Sequence, residues 1–315
     1  MKSRCCLLLS CAFALALATP ALAAWTPLLP GWTVHEFPLA VDHIALTGPW
    51  SGVTLDPVSG DCFFLGSLSP DNSDFAIFRV SRTGQVQTIA NLASPTGRPV
   101  FDPVHRVLFA PSAWNEIQRL GENGEALPPL TVGAPGPLAV GPDGELYSMT
   151  LSSFSPSGLR LVRYDSGTAA WVPSLDLPAF SPASPGTGVL PNQIVFDASG
   201  KLFFCYGAGN WRVDAAATTF VGGWLLMGPL AVGPGFLFNS LVFYDPTSNG
   251  GASPTMFATS PDHRVQMGVA VPPDGSVMFF DQANNDGGGC SLVVFTMGPT
   301  PGIRRSWGSV KGLGR

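Results

Sequence analysis

Residues 136–150, GPLAVGPDGELYSMT, and residues 267–281, MGVAVPPDGSVMFFD, spell the same figure twice. Each is an apolar run, a Pro-Asp-Gly reversal and a second apolar run. Pro presets one backbone dihedral and Gly supplies the positive φ of a tight turn, so each stretch predicts a β-hairpin. Four further stretches carry the figure in looser form: GVTLDPVSGDCFF, RPVFDPVHRVLF, QIVFDASGKLFF and PLAVGPGFLF. The last apolar residues of the six first strands are Leu55, Phe101, Val140, Phe196, Val232 and Val271, at intervals of 46, 39, 56, 36 and 39 residues.

That spacing matches the four-stranded blade of a β-propeller. Third and fourth strands follow where the interval allows, as in FAIFRVSR and VQTIANL after the first hairpin, split by Thr83 and Gly84. One such sheet alone leaves an apolar face in water, whereas six packed radially cover it. The expected fold is therefore all-β, a six-bladed β-propeller of four-stranded blades over 25–297. The sixth copy stops after CSLVVFTM at 290–297, one strand short, and GWTVHEFPL at 31–39 is a strand without a blade. The N-terminal strand is expected to complete the last blade and close the ring, which also removes two open sheet edges.

Residues 1–24 have a positive start at Lys2 and Arg4, an apolar stretch LLLSCAFALALA and a small-residue end ATPALAA. This is the pattern of a secretory signal peptide cut after Ala23 or Ala24, and it implies a secreted or periplasmic protein. A lipoprotein reading at Cys11 fits less well, because the apolar stretch before it is short. Cleavage leaves Cys62, Cys205 and Cys290, an odd number without metal-ligand spacing, whose apolar flanks read as buried strand positions. It also moves the net charge from −5 to −7 by removing Lys2 and Arg4. Residues 298–315 form a basic tail with Arg304, Arg305, Lys311 and Arg315. The body is then strongly acidic and should repel a nucleic-acid backbone. The uncharged stretch 215–244 is long enough for a membrane span, but its Gly and Pro breaks favour buried strands joined by turns.

PLAVGPDGELY and GVAVPPDGSVMFFD resemble blades of the NHL-repeat propellers and of the SMP-30/gluconolactonase-like propellers. The resemblance covers most of the chain after the leader, and it specifies a fold that hosts many reactions. For the gluconolactonase-like members it implies a divalent cation in the funnel, held by a Glu at the first blade, an Asn at a middle blade and an Asp at a late blade. Thr47 stands at the first position, Asn192 matches the second and Met267 stands at the third. A hard cation needs several oxygen donors, so a divalent metal is poorly supported and no cofactor is expected.

No GxSxG, HExxH, P-loop or dinucleotide-binding pattern is present. Of the histidines, His35 falls in the closing strand, His43 precedes the first blade, and His105 sits in a turn at the place of the usual Gly. His263 approaches the sixth blade and joins the candidate list. The loops DQANNDGGGC and SPDNSD read as turns rather than calcium loops. A ligand would meet residues entering the innermost strands, here Trp50, Arg98, Asn192, Gln193 and Gln266. It would also meet residues linking second to third strands, here Trp114, Asn115, Asn210, Trp211, Asp281 and Asn285. Such groups suit a small polar ligand, a sugar or peptide, or a protein partner. The same tryptophans could instead pack between blades, and the amides could satisfy turn backbones. The functional expectation is a monomeric binding propeller. The alternatives are a divergent lactonase or hydrolase, and a cell-surface scaffold that makes contact through the tail.

Overall fold

The structure, a computed structural model, describes residues 25–41, 43–44, 52–67, 75–92, 95–113, 116–179, 190–206, 209–214, 217–223, 229–233, 236–248, 253–260, 265–282 and 289–298. Within them every regular element is a strand. Three strands precede the first hairpin: β1 (Thr26–Pro27), β2 (Trp32–Pro38) and β3 (His43–Ile44). Blade 1 comprises β4 (Val53–Leu55), β5 (Cys62–Ser67), β6 (Phe75–Val80) and β7 (Val86–Leu92), with β3 also paired to the inner edge of β5. Blade 2 comprises β8 (Val100–Asp102), β9 (Val107–Ala113), β10 (Glu116–Gly121) and β11 (Ala126–Leu130). Blade 3 comprises β12 (Leu138–Val140), β13 (Leu146–Leu151), β14 (Leu159–Asp165) and β15 (Ala170–Asp176).

Blade 4 comprises β16 (Gln193–Phe196), β17 (Leu202–Tyr206), β18 (Gly209–Val213) and β19 (Thr218–Gly223). Blade 5 comprises β20 (Leu230–Gly233), β21 (Phe236–Asn239), β22 (Val242–Tyr244) and β23 (Thr255–Met256). A short pair, β1 with β24 (Ala258–Thr259), follows it. Blade 6 comprises β25 (Val265–Ala270), β26 (Val277–Gln282) and β27 (Cys290–Met297), and its outer strand is β2 from the N-terminus. The uncharged stretch 215–244 holds β19 to β22, and no helix among the described residues is long and apolar enough to cross a membrane.

The innermost strands β4, β8, β12, β16, β20 and β25 each pack beside the next, and β25 returns to β4. That ring defines the axis. Burial falls outward from it. All of Cys62–Ser67 in β5 and Leu202–Tyr206 in β17 is buried, whereas the outer strand β15 is mostly exposed. A second strand is covered on both faces by neighbouring blades, so it reads as a continuous apolar run instead of an alternating one. The largest aromatic cluster lies between blades 5 and 6, where Phe257 meets Phe295 at 5.1 Å and Phe279 meets Phe295 at 5.0 Å, both edge-on. Edge-to-face contacts of this kind add to the burial of the rings.

The ring closes as the sequence indicates. β2 pairs antiparallel with β27 from Trp32↔Met297 to Pro38↔Ser291, and Trp32 and Val34 pack into the blade 5–6 core. His35 lies on the exposed side of β2.

One turn differs from expectation. In blade 1 the positive φ belongs to Gly60, and the equivalent place in blade 2 belongs to Arg106 (φ 58°), one residue after His105. His105 takes the place of Ser59 instead and contacts Asp102 through Nδ1 at 2.6 Å. A side chain in the left-handed region is costly, and Arg106 has a compensating clamp. Its two terminal nitrogens donate to both carboxylate oxygens of the buried Asp56 at 2.7 Å, joining blade 2 to blade 1. Its Nε also donates to Glu122 at 2.8 Å.

Candidate functional site

The segments that lead into β8, β12 and β16 arrive at one end of the ring, because all six inner strands run the same way along the axis. Between them lies a cavity of about 290 Å³. Thr96, Gly97 and Arg98 come from the entry to blade 2, Gly136, Pro137 and Leu138 from blade 3, and Leu190, Pro191 and Asn192 from blade 4. Pro111 and Ala134 complete the wall. Proline and glycine dominate these approaches because the chain must reverse from an outer strand back to the axis.

Arg98 is the charged group of this wall. Its side chain passes blade 3 and reaches blade 4, where Nη2 donates to the Ile194 carbonyl at 2.8 Å. Nη1 donates to Gln193 Oε1 at 3.4 Å, a long bond. The same Gln193 oxygen accepts the Leu230 N–H at 2.7 Å, so it also ties in blade 5. Gly52, at the entry to blade 1, has φ +118° and lies so close that an added Cβ would stand 3.2 Å from Gln193 Nε2 and 3.4 Å from Arg98 Cδ. Segments from blades 1, 2, 4 and 5 thus converge on one Arg–Gln pair. Arg98 is only 8% exposed, and burial pushes its guanidinium down to about 10. Its Nε has no partner among the described residues.

Gln193 is one end of a buried polar strip. Opposite it across the β16–β17 ladder is Cys205, which pairs with Asn210 on β18. Asn239 on β21 donates to Asn210 Oδ1 at 2.7 Å and lies 3.7 Å from Cys205 Sγ. Burial pushes the Cys205 thiol up to about 11 and the Tyr244 phenol, beside Asn210, up to about 12. These groups join blades 4 and 5 and are closed to solvent. Ser148, fully buried and opposite the cavity-wall residue Leu138, has a hydroxyl without a partner among the described residues.

The structure separates the candidates read from sequence. Arg98 and Asn192 line the cavity, and Gln193 anchors Arg98 from behind. Asn210 and Trp211 lie on β18 and are buried; Trp211 packs on Phe220 and donates to the Tyr206 carbonyl at 3.3 Å. Asp281, at the end of β26, is buried and accepts the indole N–H of Trp25. Gln266 is placed by its backbone opposite Asp281. Trp50, Trp114, Asn115, His263 and Asn285 lie outside the described residues, as do residues 1–24 and those beyond 298. The apolar walls Pro137, Leu138, Leu190 and Pro191 were not singled out from sequence. The signal available was position, since they precede inner strands just as Arg98 and Asn192 do.

The donor set does not fit the divalent cation of the gluconolactonase-like pattern. Thr47 and Met267 replace two of its three donors. Beside the third, Asn192, the Ile194 carbonyl and the Gln193 side-chain oxygen already hold the Arg98 cation. Among the described residues no three His, Cys, Asp or Glu side chains gather in one place. A guanidinium within the same wall repels a second cation.

No protein-family profile matches the sequence. No curated protein matches it either. Solved structures do. A structural-genomics target described as a gluconolactonase superposes with a TM-score of 0.51 at 14% identity, over 87% of this chain and 98% of that one. A Xanthomonas campestris gluconolactonase superposes at 0.54 with 12% identity, over 86% and 94%. A luciferin-regenerating enzyme superposes at 0.50 with 11% identity, over 84% and 95%. Identities this low establish the fold and leave the chemistry to the site. The chain is a six-bladed β-propeller whose structural neighbours are the gluconolactonase-like propellers.

Proposed function

We propose that this protein, exported by its leader, binds a small polar organic ligand at the funnel mouth between the entries to blades 2, 3 and 4. The observation that carries the reading is the 290 Å³ cavity, lined by one arginine, one asparagine and one threonine among proline and leucine walls. Small-molecule sites combine an apolar concavity with a few placed polar groups, and typical volumes begin near ~300 Å³. The leader pattern at 1–24 supports export, and sequencing the N-terminus of the processed protein tests it.

The binding reading is tested by thermal shift against a panel of sugars, dipeptides and small organic acids. At least one class should raise the melting temperature saturably. Leu190→Trp, which fills the cavity from its wall, should abolish the shift. A flat response across the panel overturns the reading.

A lactonase is the second reading. It is favoured by the gluconolactonase descriptions of two structural neighbours and by the match at Asn192. The donor chemistry beside Asn192 weighs against the metal-dependent form of it. Turnover of a lactone panel that depends on Asn192, with or without added divalent ions, would replace the binding reading.

A further inference from the structure

We propose that the cavity takes a small organic acid whose carboxylate is met by the Arg98 guanidinium, a proposal that rests on the binding reading above. Two arginines among the described residues are buried to a similar degree, Arg98 at 8% and Arg212 at 6% exposure. Arg212 holds Asp214 through Nε at 3.0 Å and Nη2 at 2.8 Å, the fork geometry by which a guanidinium and a carboxylate match. Among the described residues Arg98 has no such partner. Its two acceptors are a backbone carbonyl and a side-chain amide oxygen, both neutral, and Nε is unsatisfied. Arg79, Arg82, Arg106 and Arg160, which are more exposed, each pair with an acid. Among the described residues the fold therefore places a buried cation without an acidic partner at the wall of this cavity.

A buried charge without a counter-charge is costly, and a protein retains it where something supplies the opposite charge. The rest of the wall describes what the anion is attached to. Pro111, Pro137, Leu138, Leu190 and Pro191 offer no hydrogen bonds from their side chains, so a polyhydroxylated neutral ligand would leave its hydroxyls unpaired. A short aliphatic or aromatic acid instead buries its body on these residues. Thr96 and Asn192 are the other polar residues of the wall. One guanidinium matches a monoanion, and a cavity of about 290 Å³ matches a small body.

Isothermal titration with hexanoate and benzoate, each against its amide, hexanamide and benzamide, tests the charge directly. The acids should bind at least about tenfold tighter than the amides. Arg98→Met should erase that gap. Should Arg98→Met not fold, as judged by circular dichroism, Leu190→Trp must abolish hexanoate binding instead. Equal binding of acids and amides overturns the carboxylate assignment and leaves the small-ligand reading standing. So does binding of glucose alone. Failure of every acid, amide, sugar and dipeptide to bind overturns both.

Discussion

The indole N–H of Trp25 donates to the carboxylate of Asp281, a residue 256 positions later. Both side chains are fully enclosed, and the Trp25 ring meets Phe279 edge-on at 5.7 Å. The start of the described chain is thereby pinned to the end of β26, while β2 is laced along β27. Closure of the ring is a two-part clasp, one part side chain and one part backbone.

Trp25→Phe keeps most of the ring and removes the donor. Hydrogen bonds to charged groups contribute about 1.5–3 kcal/mol, and a loss within that range is expected. Urea unfolding should show a lower midpoint at unchanged slope. An unchanged midpoint would mean that the indole bond contributes nothing.

Removing residues up to Pro38 deletes β2 and uncovers the edge of β27 along with part of the blade 5–6 core. An exposed apolar edge recruits other strands. The truncated chain should self-associate in size-exclusion chromatography and lose its single cooperative transition. A monodisperse truncated monomer would show that the clasp is dispensable.

Gly268 in β25 faces Val53 in β4, so that a Cβ would stand 2.6 Å from Val53 Cγ1. Val53 is buried and β-branched and cannot swing away. Gly268→Ala should cost about 1–3 kcal/mol by overpacking the junction where the ring closes. Val53→Ala should relieve part of that loss in the double variant. Gly289→Ala, with open space around the added carbon, should stay within about 0.5 kcal/mol.

Asp56 supplies a pH test. Burial on its own would raise this carboxyl, but the bonds from Arg106, Ser59 and the Val58 N–H outweigh burial and hold it at about 2. The folded value is below the unfolded one, so the contribution is complete above about pH 4 and is lost as pH falls through about 2. The shift corresponds to about 2 kcal/mol, spread over that window. Denaturation measured between pH 5 and 2 should show the loss, and Asp56→Asn should flatten its share of the slope. An identical pH profile in the variant would rule out this assignment.

Cys62, Cys205 and Cys290 are all buried, and Cys62 and Cys205 are free thiols. Burial drives the Cys62 thiol far above its ordinary range, and Cys205 to about 11. Neither should react with a thiol reagent at pH 8 until the protein is unfolded, because the thiolate is the reactive form. Rapid native labelling of Cys62 or Cys205 would contradict their enclosure.

The sequence puts Arg98 and Asn192 at the entries to apolar inner strands, and both line the cavity there. Asn210 and Trp211 looked equivalent, sitting between a second and a third strand. They are instead enclosed, since β18 is covered by the neighbouring blades on both faces. The turn at 102–107 was legible as a turn, yet the residue taking the positive φ was Arg106 rather than His105. Arg106 tolerates it through Asp56, 50 positions earlier, a partner that no local pattern reveals.

Sequence by itself determined the number of blades, their turns and the strand that closes them, because Pro and Gly restrict the backbone where they stand and apolar runs mark what must be covered. Only the tertiary structure decided that Arg98 reaches Gln193, 95 residues away, with no acid beside it among the described residues. Charge compensation depends on distance through space, and the ring brings together at its axis groups that lie two blades apart in the chain.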